Sequence, residues 1–195
     1  LIPTLIIATG AGLTIPFISL FFDKVHHFGK GDFSFVSAIA AVLVVWGALK
    51  VPSIKRNIGY KIAIPTTQSL AVISLVALAT TQLYSQYSIA LYIAIVCYLL
   101  RQPLMNMAGP MTSELVMNYV GKKNQEITSA LTAAIWSGSW VISGYFVKIM
   151  FSQKYEFVNI FLITSAMYAF GVLMYYFLIL DYGKRQKQGL IETQE

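Results

Sequence analysis

The sequence predicts an all-α integral membrane protein, a bundle of six transmembrane helices, and three observations carry that expectation. Of the 195 residues 57% are hydrophobic and only 11% are charged, with a mean hydropathy of +0.67, whereas soluble domains carry about 25% charged residues. The 14 Lys and Arg and the 8 Asp and Glu fall in clusters between long uncharged stretches. Those stretches reach the roughly 20 apolar residues that a helix rising about 1.5 Å per residue needs to cross about 30 Å of hydrocarbon. No ten-residue alternation of apolar and polar positions recurs, which argues against a membrane β-barrel.

The helices are expected at about 1–22, 33–49, 62–84, 88–120, 127–150 and 157–180, as one bundle over 1–182 followed by a polar cytoplasmic tail at 183–195. Residues Leu1 to Phe22 carry no charge and no basic segment precedes them, so a cleavable signal peptide is not expected. A chain opening inside a span, without Met, is expected to be one part of a longer protein. Gly10, Gly12 and Pro16 around Thr14 predict close packing and a bend, with Thr9 and Thr14 as cavity candidates. The second span closes at Lys50. Ile62 to Leu100 holds no charge over 39 residues, too many for one crossing, and the polar cluster Thr80, Thr81, Gln82, Ser85 and Gln86 divides it.

In the fourth helix Arg101 lies about 13 residues, or roughly 20 Å, from the start. A cation at that depth costs about 2.5–3.5 kcal/mol or more against lipid, so it is expected to face the bundle interior or a water-filled cavity. Gln102, Asn106 and Ser113 follow along an adjacent face. The alternative is an Arg held in structural hydrogen bonds to backbone carbonyls. Pro103 and Pro110 free the carbonyls of Leu99 and Asn106 and predict bending. Glu114, the one carboxylate within a span, lies about 20 Å along the helix from Arg101, so the two do not pair. Its place near Lys122 and Lys123 favours a structural salt bridge, with a proton carrier as the alternative.

The fifth helix repeats small residues every four positions, Ala130, Ala134 and Gly138 beside Ala133 and Ser137, with Gly144 further on, and this predicts close approach by another helix. Trp136 and Trp140 share a face there, too deep for an interfacial belt, and either line a cavity or fill the core.

Enzyme chemistry is not expected. The nearest approach to an intramembrane serine protease motif, Val141-Ile142-Ser143-Gly144, lacks the leading Gly, and His26 and His27 are expected in a loop where neither serves as a buried base. No Walker motif, HExxH or acidic pair occurs, and no cofactor is called for. The His pair with Asp23 and Asp32 reads as a solvated loop and not a metal site. Cys97 is the single cysteine, so neither an intrachain disulfide nor a cysteine metal cage can form.

Charge sets the expected orientation. The second and fourth connections and the tail hold nine Lys and Arg, the other side holds Lys24, Lys30 and Lys154, and Arg101 and Lys148 lie within spans. The cytoplasmic bias of Lys and Arg then puts both termini in the cytoplasm, in a cell (inner) membrane. The same bias accounts for the pI near 9.4 without nucleic-acid binding.

The connection Gly47-Ala48-Leu49-Lys50-Val51-Pro52-Ser53-Ile54-Lys55-Arg56-Asn57-Ile58-Gly59-Tyr60-Lys61 resembles the loop between the eighth and ninth helices of major facilitator superfamily transporters. It is similar to a worn copy of their Gly-x-x-x-Asp-Arg-x-Gly-Arg-Lys element. Gly59 and Lys61 match its later positions, while Arg56 stands where the acidic residue would be, so a gating salt bridge is not expected from this loop. Gly10-Ala11-Gly12-Leu13-Thr14-Ile15-Pro16-Phe17 resembles the family's seventh helix, and Arg101-Gln102-Pro103-Leu104-Met105-Asn106 through Pro110, with Trp136, resembles its tenth and eleventh. The likeness spans residues 1 to about 182 and covers the C-terminal half of such a transporter.

The resemblance implies secondary active transport of a small solute by alternating access, with a substrate site near the membrane midplane between two six-helix halves. It implies an N-terminal half as partner, from the same chain, a second copy or another subunit. Arg101, Gln102 and Asn106 are the implied substrate or coupling contacts, with Thr14, Trp136 and Trp140 behind them. Arg101 suggests an anionic group on the solute or a charge partner in the other half. The competing expectation is a non-transporting transmembrane scaffold subunit of a larger complex.

Overall fold

The computed structural model describes residues 1–188, and among these the chain is helical with no strand. Helix α1 (Ile2–Thr14) ends where Pro16 removes an amide donor, passes through a 3-10 turn at Ile15–Phe17, and resumes as α2 (Ile18–His26). Then come α3 (Lys30–Thr80), a 3-10 turn at Thr81–Tyr84, α4 (Ser88–Val120), α5 (Gln125–Ser152) and α6 (Phe157–Lys187). Five helical runs among the described residues, α1 with α2 counted as one, are long and apolar enough to cross a membrane. Phe35, Leu49 and Val141 are among many large apolar side chains left exposed. Water does not tolerate such a surface over a whole protein, whereas lipid favours it. These features mark a membrane protein.

A straight helix of the 51 residues in α3 would extend about 76 Å, more than twice a bilayer core. Gly59 interrupts it with φ 67° and ψ 169°, a backbone region that only glycine enters freely. The run doubles back there. At its start the Phe33 ring lies 5.2 Å from that of Phe22, and at its end Thr81 Oγ1 lies 3.0 Å from His26 Nε2, so both ends of α3 meet the end of α2. The far end of the fold carries Gly59, with Lys55 paired to Glu114 of α4.

Several boundaries differ from the sequence expectation. Lys50 to Ile58, read as a connection, continue the helix through Pro52, and the turn is confined to Gly59. His26, expected in a loop, closes α2, and His27 caps it with a left-handed φ of 51°. The last helix passes the expected end at 180 and reaches Lys187. Asp181 helps to hold this extension, because its Oδ2 accepts from Tyr119 Oη at 2.7 Å and from Arg185 Nε, one turn on, at 2.9 Å. The rest of the expected tail, 189–195, lies outside the described residues.

Packing is arranged around α6. It touches α1 on one side and α3 on the other, while α5 completes the first layer against α1 and α4 completes the second against α3. Small residues make the α1 contacts close. A Cβ on Gly12 would lie 2.5 Å from Ser143 Oγ, and one on Gly171 would lie 2.6 Å from Ile7 Cγ1. Near the His26 end the rings of Phe21, Phe22, Phe157 and Phe161 stack edge-on or tilted, closing that end with apolar surface.

Within this chain helix α5 packs by a face other than the small-residue row that the spacing singled out. It turns Ser139, Ser143 and Val147 toward the bundle, and Ser143 Oγ donates to the carbonyls of Thr9 and Ser139, each at 2.7 Å. The small-residue row ending at Gly138 is exposed, and a Cβ on Gly138 or Gly144 would meet nothing within 4 Å. That row sits one residue, about 100°, round the helix from the buried one, so spacing alone did not tell which of the two faces another helix within this chain.

Candidate functional site

All five runs contribute to a cavity of about 440 Å³. Its wall includes Ile7 and Ala11 from α1, Gln68 from the second arm of α3, Arg101 to Met117 in part from α4, Trp136 from α5, and Tyr168 and Tyr175 from α6. Arg101 is only 1% exposed. It reaches the middle of the fold because α4 starts at the His26 end and carries the residue about 20 Å inward.

Its hydrogen bonds are few and long for a cation. Nη1 donates to Gln102 Oε1 at 3.4 Å and Nη2 to Tyr168 Oη at 3.5 Å, and the guanidinium carbon stands 5.9 Å from the Tyr168 ring centroid. Nε has no protein acceptor among the described residues. A guanidinium offers five donors and cannot shed its charge, so these neutral contacts leave it under-satisfied. Among the described residues no Asp or Glu lines the cavity. Gln68, 3% exposed, is in the same condition, with its side-chain carbonyl oxygen unpartnered.

Arg101 is therefore placed as the sequence anticipated, inside the bundle beside a cavity, and its partners are side chains and not the backbone carbonyls of the alternative reading. Gln102 lines the cavity beside it and donates to Tyr98 Oη at 3.2 Å, which lies 3.3 Å from Ser37 Oγ. Asn106 also lines the cavity while its Nδ2 donates to the Gln102 carbonyl at 2.8 Å. Trp136 is a wall residue, 39% exposed, so it does not fill the core. Trp140 is more exposed still and is not part of the wall.

Thr14 is buried elsewhere. Its hydroxyl donates to Thr164 Oγ1 at 2.8 Å and ties α1 to α6 away from the cavity. Glu114 pairs with Lys55 and not with Lys122 or Lys123 as the sequence suggested, because the fold-back at Gly59 brings the first arm of α3 alongside α4. The Lys55 ammonium also lies 5.1 Å from the Tyr60 ring centroid. In the family-like stretch, Gly47 serves packing, since a Cβ there would lie 3.0 Å from Met107 Sδ. Pro52 is inside the helix, Gly59 is the break, and Arg56 and Lys61 are exposed.

Gln68, Tyr168, Tyr175 and Thr4 were missed. Thr4 Oγ1 and Tyr175 Oη lie 3.1 Å apart in the cavity wall. A signal existed: Gln68 is an amide within an uncharged span, and Tyr168 and Tyr175 are two helical turns apart on one face. No protein-family model, curated protein or solved structure significantly matches this chain.

Proposed function

We propose that the chain forms one six-helix half of a secondary transporter, similar to the C-terminal half of major facilitator superfamily proteins, that moves a small solute across the membrane by alternating access. The observation that carries this reading is the open cavity with Arg101 on its wall, itself buried and without a charged partner among the described residues. An ionisable residue inside a membrane bundle ordinarily marks a solute or ion pathway, and sites at the midplane between helix repeats suit alternating access.

The fold-back of α3 at Gly59 supports six crossings, each arm of α3 counting as one. The uncovered face of α5 supports a second half packed against it. Nine basic residues at the Gly59 end support a cytoplasmic position for both termini. Arg101, Gln102 and Asn106 make the solute contacts, with Trp136 bounding the site.

The test is uptake by the native full-length protein in proteoliposomes, screened over small solutes. The Arg101→Ala variant is expected to lose uptake while still inserting and folding. Uptake equal to that of the unmodified protein would remove Arg101 from the site. Absence of flux for every solute, with other subunits copurifying at fixed stoichiometry, would replace the transporter with a scaffold subunit.

A further inference from the structure

We infer that the site selects an organic monoanion, with one carboxylate- or sulfonate-type group bound by Arg101 and an apolar or aromatic body lying against the rest of the cavity. The inference deepens the proposed function and rests on the same cavity, though not on transport itself.

The charge count comes first. Among the described residues Arg101 is the single charged side chain of the wall, and a buried guanidinium without a counter-ion is far from its lowest free energy. Of the carboxylates that the fold describes near the bundle, Glu114 is paired with Lys55, Asp181 with Arg185 and Tyr119, and Glu156 accepts from Gln82 at 3.3 Å. None of them lines the cavity. One negative charge brought by a ligand neutralises the site. A second would be left buried and unpaired, which disfavours dianions by the same desolvation argument.

Geometry fits a two-oxygen anion. Nε is buried without a partner among the described residues and Nη2 has only the 3.5 Å contact to Tyr168, so this edge of the guanidinium holds unused donors that a side-on, bidentate contact would fill. Elsewhere the wall is mostly apolar or aromatic, with Ile7, Met105, Val116, Trp136 and Tyr175. The volume lies within the range of about 300–1,000 Å³ of small-molecule sites. A small inorganic anion would leave that surface wet, whereas a ring would cover it. Gln68 offers one neutral hydrogen-bonding group within the same wall.

The experiment compares ligands that share a ring and differ in charge. Purified native full-length protein is melted at matched ionic strength with benzenesulfonate, benzoate, benzenesulfonamide or 1,3-benzenedisulfonate. Both monoanions are expected to raise Tm in a saturable way, with apparent affinity at least tenfold above that of the neutral sulfonamide and of the disulfonate. In Arg101→Gln the monoanion shift is expected to vanish. The ligand series on the unmodified protein decides the matter even where that variant does not fold.

Equal shifts for the sulfonamide and benzenesulfonate would overturn the inference, as would no response to either monoanion. A stronger response to the disulfonate would overturn the single-charge argument. Counterflow of labelled benzenesulfonate in proteoliposomes then separates the two readings. Binding without flux removes transport and leaves the inference, whereas flux of neutral solutes alone removes the inference and leaves transport.

Discussion

Arg101 and Tyr168 join α4 to α6 at the middle of the fold, with Nη2 3.5 Å from the tyrosine hydroxyl and the guanidinium carbon 5.9 Å from the ring centroid. Both contacts are to a neutral group, and burying the cation behind them gains little. Removing an under-compensated buried charge in favour of an apolar side chain of similar length is neutral or stabilising by about 1–4 kcal/mol. Arg101→Met is therefore expected to melt at or above the Tm of the unmodified protein while losing solute uptake. A clearly lower Tm would show that the guanidinium has a structural partner stronger than Tyr168.

Gly59 has the backbone conformation that turns α3 back on itself. A Cβ there would meet no neighbour, so the penalty of Gly59→Ala is conformational, about 1–3 kcal/mol. Thermal unfolding in detergent is expected to shift down accordingly. Gly109→Ala, in a helix and with equally open space, is expected to match or exceed the parent, since alanine is the better helix former. Equal Tm values for Gly59→Ala and the parent would mean that the turn tolerates other geometries.

Two glycines distinguish the inner and outer faces of the first layer. Gly12→Leu drives a side chain into Ser143 and toward the Trp140 backbone, 3.5 Å from the built Cβ, and is expected to destabilise by about 1–3 kcal/mol or more. Gly138→Leu meets open space within this chain and is expected to leave helix insertion intact. Loss of uptake by Gly138→Leu with retained insertion would report a second half on that face, whereas unchanged uptake would leave the face to lipid.

Lys55 and Glu114 form an ion pair whose side chains are 37% and 45% exposed. Exposed pairs contribute about 0–1 kcal/mol. A double-mutant cycle with Lys55→Met and Glu114→Gln is expected to give a coupling within that range, read from unfolding midpoints. Uptake is expected to persist in Glu114→Gln if the carboxylate is structural. Loss of pH-driven uptake in that variant, with the fold retained, would restore Glu114 as a proton carrier.

Orientation is checked by labelling from outside intact cells with an impermeant maleimide, in a Cys97→Ser background. Lys154→Cys, at the end opposite Gly59, is expected to react. Lys123→Cys is expected to react only after permeabilisation. The reverse pattern would invert the proposed topology.

Much of the fold was legible because hydropathy is a local quantity. The start of α4 at Ser88 follows from the uncharged polar cluster at Thr80 to Gln86, that of α6 at Phe157 from the charges just before it, and α5 starts at Gln125, two residues before the expected 127. The stretch from Lys50 to Lys61 was misjudged because its charges look like a loop. A helix can carry charge at its end once it has left the hydrocarbon, so polarity marks the exit from lipid and not the end of the helix. Gly59 was noted for its likeness to a family element, and its positive φ is the reason a glycine is needed there.

Apolar spans, sparse charge and one deep Arg are enough to specify helices in lipid, because each residue's transfer cost depends on its own chemistry. The same cost argument turns Arg101 inward, where it is buried. What Arg101 meets there depends on how the helices pack. Tyr168 lies 67 positions away, Gln68 comes from an arm reached only by the reversal at Gly59, and Thr14 is diverted to Thr164. The same helical periodicity allows several neighbours for each face. The choice among them comes from close packing of small residues such as Gly12 and Gly171, which sets which helices can approach and so where the cavity is left.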